Sequence, residues 1–319
     1  MTAVHQPSRL VRSVDDLQAN PRRTRIDRGA RILFMGAASM SILISLGIIG
    51  SLLEQAYQFL SSLDSWSVLW EGGWFPRQGE FSIPTILAGS IVVTAVAMVF
   101  AVPVGLGSAV YLAEYASPRV RRTLKPVLEM LAGIPSVVLG FFALTIIAPE
   151  FVQRIWTEAP QTTMLAAGLG VGILTVPLVA TVSEDAMRAV PDALREASYG
   201  LGARKMTTCV RIVLPAAVSG LVAALILSVS RALGETMVVT IAAGGSGGSA
   251  FTTDPLEPGL TMTAAMATLA SGTDAVKTAG AGAVDPYQSL FFVGLVLFAI
   301  TLALNVVASR FVARARQKY

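Results

Sequence analysis

The 319-residue chain is 54% hydrophobic and only 14% charged, with a mean hydropathy of +0.66, which excludes a disordered chain and points to a polytopic membrane protein. One cysteine, Cys209, excludes an internal disulfide and a Cys-rich metal site, and one histidine, His5, excludes a multi-histidine zinc or haem centre. The net charge of +4 admits nucleic acid or anionic lipid until the basic residues are placed along the chain.

Residues 1–31 are polar and arginine-rich, with Arg9, Arg12, Arg22, Arg23, Arg25, Arg28 and Arg31 against three aspartates, and read as a mobile cytoplasmic tail. Ile32 to Leu53 carries no charge and is long enough to cross a hydrocarbon core of ~30 Å. Leu52-Leu53-Glu54 is no small-residue cleavage site, so this stretch reads as a retained span. A loop follows to Glu80, whose Trp66, Trp70, Trp74 and Phe75 are expected at the outer interface. The second span is expected over 84–112, with Pro103 marking a kink, and a basic loop from Glu114 to Lys125 comes after it. The third is expected over 130–149 and the fourth over 162–183, where Gly168-Leu169-Gly170-Val171-Gly172 serves close helix packing.

Residues 184–215 form a charged loop between two apolar segments. Pro191 suits the first turn of a helix, Asp192 favours its positive end, and Ala193 to Tyr199 are helix formers. Gly200 and Gly202 offer the φ > 0 that ends this helix, a second helical stretch runs from Ala203 to Leu214, and Pro215 disrupts the helix entering the next segment. The fifth span is expected over 216–241, interrupted by Arg231 and Glu235. In residues 242–285, Gly244 to Gly248 reads as a flexible link, and Leu260 to Leu269 as a helix lying on or dipping into the outer surface. The sixth span, 287–309, completes a transmembrane domain of residues 32–312 with a tail at 313–319.

Twenty lysines and arginines fall in the two tails, the second loop and the 184–215 loop, against Arg77, Arg154 and Lys277 in the other loops. This asymmetry predicts six spans with both termini cytoplasmic. It also removes nucleic acid as a partner, because the cations are spread as topological anchors and form no single patch. No G-x-x-x-x-G-K-S/T loop is present, so ATP is not bound in the usual way.

Glu196-Ala197-Ser198, Gly202 four residues after Ser198, and then Ile212, Leu214 and Pro215 resemble the EAA signature of ABC-importer permeases, with Ser198 in place of the second alanine. The resemblance implies an all-α type I importer fold whose loop seats a short coupling helix on an ATP-hydrolysing subunit. Glu129-Met-Leu-Ala-Gly-Ile-Pro-Ser-Val-Val-Leu-Gly140, Glu114 to Arg119, Ser230-Arg-Ala-Leu-Gly-Glu-Thr-Met237 and Pro258 to Thr263 are similar to segments of phosphate-specific ABC permeases, and favour the C-type member. That likeness implies a second permease of similar fold, two ATP-binding subunits and an extracytoplasmic phosphate-binding protein as partners, besides membrane lipid. It implies no cofactor, and it places Arg231 and Glu235 on the substrate path.

From the residues themselves, Arg231 and Glu235 are costly at membrane depth, ~2.5–3.5 kcal/mol each on insertion scales, and the i,i+4 spacing sets them on one helix face. They either neutralise each other or line an anion path, where the arginine fork suits a tetrahedral oxyanion. A same-fold permease for sulfate or molybdate stays open, as does an ion-gradient-driven carrier, although a carrier needs no such loop.

Overall fold

The structure, a computed structural model, describes residues 21–245, 247–273 and 285–315. Among them six helices are long and apolar enough to cross a membrane: Arg28–Ser61, Ile83–Tyr115, Ser136–Ile155, Met164–Arg188, Lys205–Leu233 and Pro286–Arg310. The chain divides after Ser51 into two compact units. Residues up to Ser51 contribute the first part of helix α1 (Pro21–Ser61), exposed almost throughout, so part of the arginine-rich segment is helical. Residues 1–20 of the expected tail lie outside the described residues, as do Lys277, Arg316 and Lys318.

The second unit begins with the end of α1. There Phe59 is buried edge-on against Phe81 (5.1 Å) and stacked on Phe292 (5.5 Å). Two short antiparallel strands, β1 (Trp74–Phe75) and β2 (Glu80–Phe81), fold the first loop back on itself. Trp66 and Trp70 are exposed as expected, but Trp74 is fully buried against Phe81 and is not an interfacial residue. Its backbone exchanges hydrogen bonds with Ser249 (2.8 and 2.9 Å), which pins the glycine-rich segment in place. A Cβ at Gly245 would lie 3.0 Å from the Leu260 side chain and one at Gly244 2.8 Å from Thr162, so these two are packed, whereas Gly247 stands in open space; Ser246 lies outside the described residues.

Helix α2 (Ile83–Val110) continues through a wide π turn, Tyr111–Tyr115, and keeps Pro103 inside. Next comes α3 (Pro118–Ala132), a four-turn helix where a basic loop was expected. The third span does not start at Met130. The chain breaks at Gly133-Ile134-Pro135 and resumes as α4 (Ser136–Phe142), because proline pushes the residue before it off the helical region and lacks a donor of its own. From α4 a π segment, Ala143–Val152, absorbs Pro149 and runs on into α5 (Gln153–Ile155), so the span outlasts the proline expected to end it.

Helix α6 (Met164–Arg188) is the centre of the bundle. It packs on α2 with almost no side-chain layer between them: a Cβ at Gly168 would lie 2.6 Å from Val96, one at Gly172 2.9 Å from Phe100, and one at Gly105 2.6 Å from Val179. The main core joins Ile86, Val93 and Ala97 of α2 to Ala166, Ala167, Val171 and Leu174 of α6.

After α6 come α7 (Asp192–Gly200) and α8 (Lys205–Thr208), then a π turn, Cys209–Val213, that leads without interruption into α9 (Leu214–Leu233). Pro215 therefore does not break the helix. It sits in the first turn of α9, and the widened turn before it accommodates the missing N–H. The expected fifth span is instead divided, with a stop at Gly234 and a separate α10 (Met237–Ala242). Helix α11 (Met262–Ala270) is a re-entrant piece; Met262, Ala264, Ala265 and Leu269 are fully buried, so it dips into protein and does not lie on a surface. Helix α12 (Pro286–Ala315) closes the described chain.

Candidate functional site: the loop after the fourth span and the break after α9

The loop folds as a helical hairpin. Pro191 caps α7, and Gly202 takes φ +80° at the turn, a conformation that costs a residue with Cβ ~1 kcal/mol or more. Gly200 stays helical, so only one of the two expected glycines supplies the left-handed turn. The hydroxyl of Ser198, where the signature carries alanine, is buried and shares a 2.9 Å hydrogen bond with Thr208, tying α7 to α8. A local core of Ala109, Met187, Val190, Val213 and Ala217 supports the hairpin. Glu196 and Ala197 are exposed on the outer side of α7, as is Pro215 at the foot of α9, and Ile212 and Leu214 are half-buried beneath. At the tip Leu201 is 90% exposed, with Tyr199 and Met206 also exposed, which leaves an apolar surface beside Glu196.

Arg195, which the sequence does not single out, holds this hairpin to the bundle. Its Nε and Nη2 donate to Oε1 of Glu114 (3.3 and 3.1 Å) at the end of the second span. The guanidinium also donates to the carbonyls of Met187 (2.8 Å) and Val190 (2.7 Å), where the chain leaves the C-terminus of α6. One side chain thus stitches α2, α6 and α7 together. Lys205 adds a contact over the Tyr115 ring, 5.1 Å from its centroid.

A second charged cluster lies where the loop begins, in the last turns of α6. Glu184 is wholly buried, with Lys125 at 3.3 Å and Arg121 and Arg188 each at 3.9 Å, and Lys125 pairs with Asp185 at 2.8 Å. The Asp185 hydrogen bond is the main cause that raises the Lys125 ammonium above the ordinary lysine value, with the Glu184 and Asp185 charges adding to it against partial desolvation. These pairs bind α3 to the end of α6.

Arg231 and Glu235 do not share a helix face. Helix α9 stops at Leu233, Gly234 caps it, and Glu235 lies in the break before α10. No ion pair joins the two among the described residues; Arg231 is exposed and Glu235 half-buried. The Glu235 carbonyl accepts from the Thr263 hydroxyl (2.7 Å), so the start of α11 sits on the break. A cleft of 430 Å³ opens there, lined by Gly234, Thr236 and Thr263 and otherwise by apolar side chains of α11 and α12, Met266 and Leu290 among them. From the far side α4 supports the break, with Gly140 so close that a Cβ would lie 3.0 Å from Ile241. Among the described residues Arg231 has no ion pair, and it lies in the last turn of α9, just before the gap in the fifth span that holds Glu235.

Residues 101–318 match the family described as "Binding-protein-dependent transport system inner membrane component". The chain is 31% identical over 328 residues to the "Phosphate transport system permease protein PstC" of Mesorhizobium japonicum, covering 97% of this chain and 96% of that one. It is 33% identical over 243 residues to the "Probable ABC transporter permease protein YqgH" of Bacillus subtilis, covering 74% and 75% of the two chains. Among solved structures, a chain of "a bacterial ABC transporter involved in the import of the acidic polysaccharide alginate" superposes with a TM-score of 0.62 at 13% identity, over 93% of this chain and 100% of that one, a likeness of fold.

Proposed function

Because the chain belongs to the family of binding-protein-dependent transport system inner membrane components, we propose that it is the C-type permease subunit of an ATP-driven importer of inorganic phosphate. The observation that carries this reading is the near-complete alignment with a permease named for phosphate transport. In this reading a second permease of similar fold pairs with the chain, two ATP-binding subunits dock on the 184–215 loop, and an external phosphate-binding protein delivers substrate. Both termini and that loop face the cytoplasm, with residues 54–80 and 242–285 outside.

Closure of the ATP-binding subunits pushes on the exposed face of α7, where Glu196, Ala197 and the Leu201 tip lie. Arg195 passes the displacement to the ends of α2 and α6, and the Glu184 cluster passes it to α3 and so to the hinge before α4. Helix α4 bears on α10 at Gly140, next to the break that holds Glu235.

In the path, Arg231 offers five donors in a fixed fork to the anion. Phosphate near neutral pH keeps at least one P–OH group, which can donate a hydrogen bond to the Glu235 side chain. Sulfate has no such proton and is repelled, so Arg231 serves passage and Glu235 serves part of the discrimination.

The test is uptake by the assembled complex, with a binding-protein-independent variant so that the soluble receptor does not mask selectivity. Arg231→Gln is expected to abolish phosphate uptake, and Arg231→Lys to restore it poorly. Residual uptake in Glu235→Gln is expected to be more easily inhibited by sulfate. Normal transport by Arg231→Gln refutes the assignment, and preferential sulfate or molybdate uptake by the native complex refutes the substrate.

A further inference from the structure

None of the 15 residues of α3 is buried, and none of its side chains joins a hydrophobic core, so apolar burial gives this helix little hold. Among the described residues its side-chain bonds to other elements are ionic, and they go to the last turns of α6. Glu184 there is wholly buried. Its Oε2 faces the Lys125 ammonium at 3.3 Å, and its Oε1 faces the Arg121 guanidinium at 3.9 Å. The two cations stand four residues apart on one face of α3, so the carboxylate is gripped at two points along the helix axis. Asp185 also pairs with Lys125, at 2.8 Å, but its side chain is 66% exposed, where water screens the attraction. The buried acid carries the grip.

The partners of Glu184 are separate from those that hold the hairpin. Arg195 ties α7 to Glu114 and to the carbonyls of Met187 and Val190, and it shares no partner with Glu184. Beyond α3 the chain breaks at Gly133-Ile134-Pro135 and resumes as α4, which bears on α10 at Gly140, next to the break that holds Glu235. Loss of the Glu184 charge would leave the hairpin in place and free the helix that leads to the break. A carboxylate that served stability alone would affect both alike.

We propose that Glu184 is a positioning residue for transport: it fastens α3 to the end of α6, so that movement driven at the hairpin reaches α4 and the break in the fifth span, and it takes no part in docking the ATP-binding subunits. The inference rests on the importer reading above. Its test measures ATP hydrolysis and phosphate uptake side by side in proteoliposomes that hold the assembled complex and the external binding protein. Glu184→Gln is expected to co-purify with the ATP-binding subunits and to hydrolyse ATP near the native rate, while phosphate taken up per ATP falls about ten-fold. Asp185→Asn, which removes only the exposed pair, is expected to keep the native ratio. Glu184→Gln leaves Arg121, Lys125 and Arg188 around a neutral amide. Lys125→Met added to it is therefore expected to bring the thermal midpoint back towards the native one without restoring uptake per ATP. An unchanged ratio in Glu184→Gln, an equal fall in Asp185→Asn, or a ratio that recovers together with the thermal midpoint overturns the assignment. A native complex that takes up no phosphate with ATP refutes the importer reading itself, a result told apart because it needs no variant.

Discussion

Replacing Arg195 with methionine keeps the length of the side chain and removes its charge and donors. The guanidinium side chain is 13% exposed and its Glu114 partner 4%, so the pair counts as buried, whereas Asp192, 87% exposed, adds nothing measurable. Arg195→Met leaves the Glu114 carboxylate without its cation and takes a side-chain donor from each of the Met187 and Val190 carbonyls. Breaking a buried pair from one side costs ~3–5 kcal/mol. At about 1.4 kcal/mol per factor of ten, local opening of the hairpin becomes ~100-fold or more easier. Hydrogen exchange of residues 190–213 in the purified complex reads this directly. Because the penalty comes mainly from the stranded carboxylate, Glu114→Leu added to Arg195→Met is expected to recover a large part of the protection. If Arg195→Met exchanges at the native rate, or if the double variant is the plain sum of the two single ones, Arg195 does not hold the hairpin through Glu114.

At the turn itself, Gly202→Val forces a β-branched residue into φ +80° and is expected to reduce co-purification of the ATP-binding subunits without affecting membrane insertion. Ser198→Ala strands the buried Thr208 hydroxyl at ~1–3 kcal/mol, and Thr208→Val in the same chain is expected to return most of it in a thermal melt. For Lys125 the folded-state value is raised above 10.5, so its contribution is complete below pH 10.5 and is lost as pH climbs through the raised value. A spin-label distance between α3 and α6 should therefore hold constant from pH 6 to 9 and lengthen only above the ordinary lysine range. Topology is checked with Leu201→Cys and Phe251→Cys, both exposed, in a Cys209→Ser background. The two should label from opposite sides of the membrane, and labelling from the same side refutes the six-span orientation.

Charge-free runs made four of the six spans readable to within a few residues at one end or both, since an apolar segment of span length has few alternatives. Pro191 and Gly202 were equally readable, because each acts through its own backbone. Prolines within apolar runs were ambiguous. Pro103 and Pro177 stay inside helices while Pro135 starts one, and the difference lies in the neighbouring turn and in what packs against it. Helix α3 was hidden by its charges, although its apolar spacing was already present. The Arg195–Glu114 and Lys125–Asp185 pairs join residues 81 and 60 apart, and no local pattern says which helix ends are neighbours. Arg231 and Glu235 were singled out by their cost in a membrane, but the assumption of a continuous helix gave them the wrong relation to each other.

The glycine contacts between α2 and α6 have a mechanical meaning. With Gly168, Gly172 and Gly105 each pressed against a facing side chain, neither helix can slide or roll on the other without collision, and an added methyl group would force the pair apart. The two spans are a single stiff slab. Bending is left to the interruptions at Gly133–Pro135 and Gly234–Thr236, the places where the backbone hydrogen-bond ladder is already open. In the proposed coupling, a load applied at the hairpin would reach the cleft as rotation about these two joints, and the stiffness of the slab would set how little of it is lost on the way.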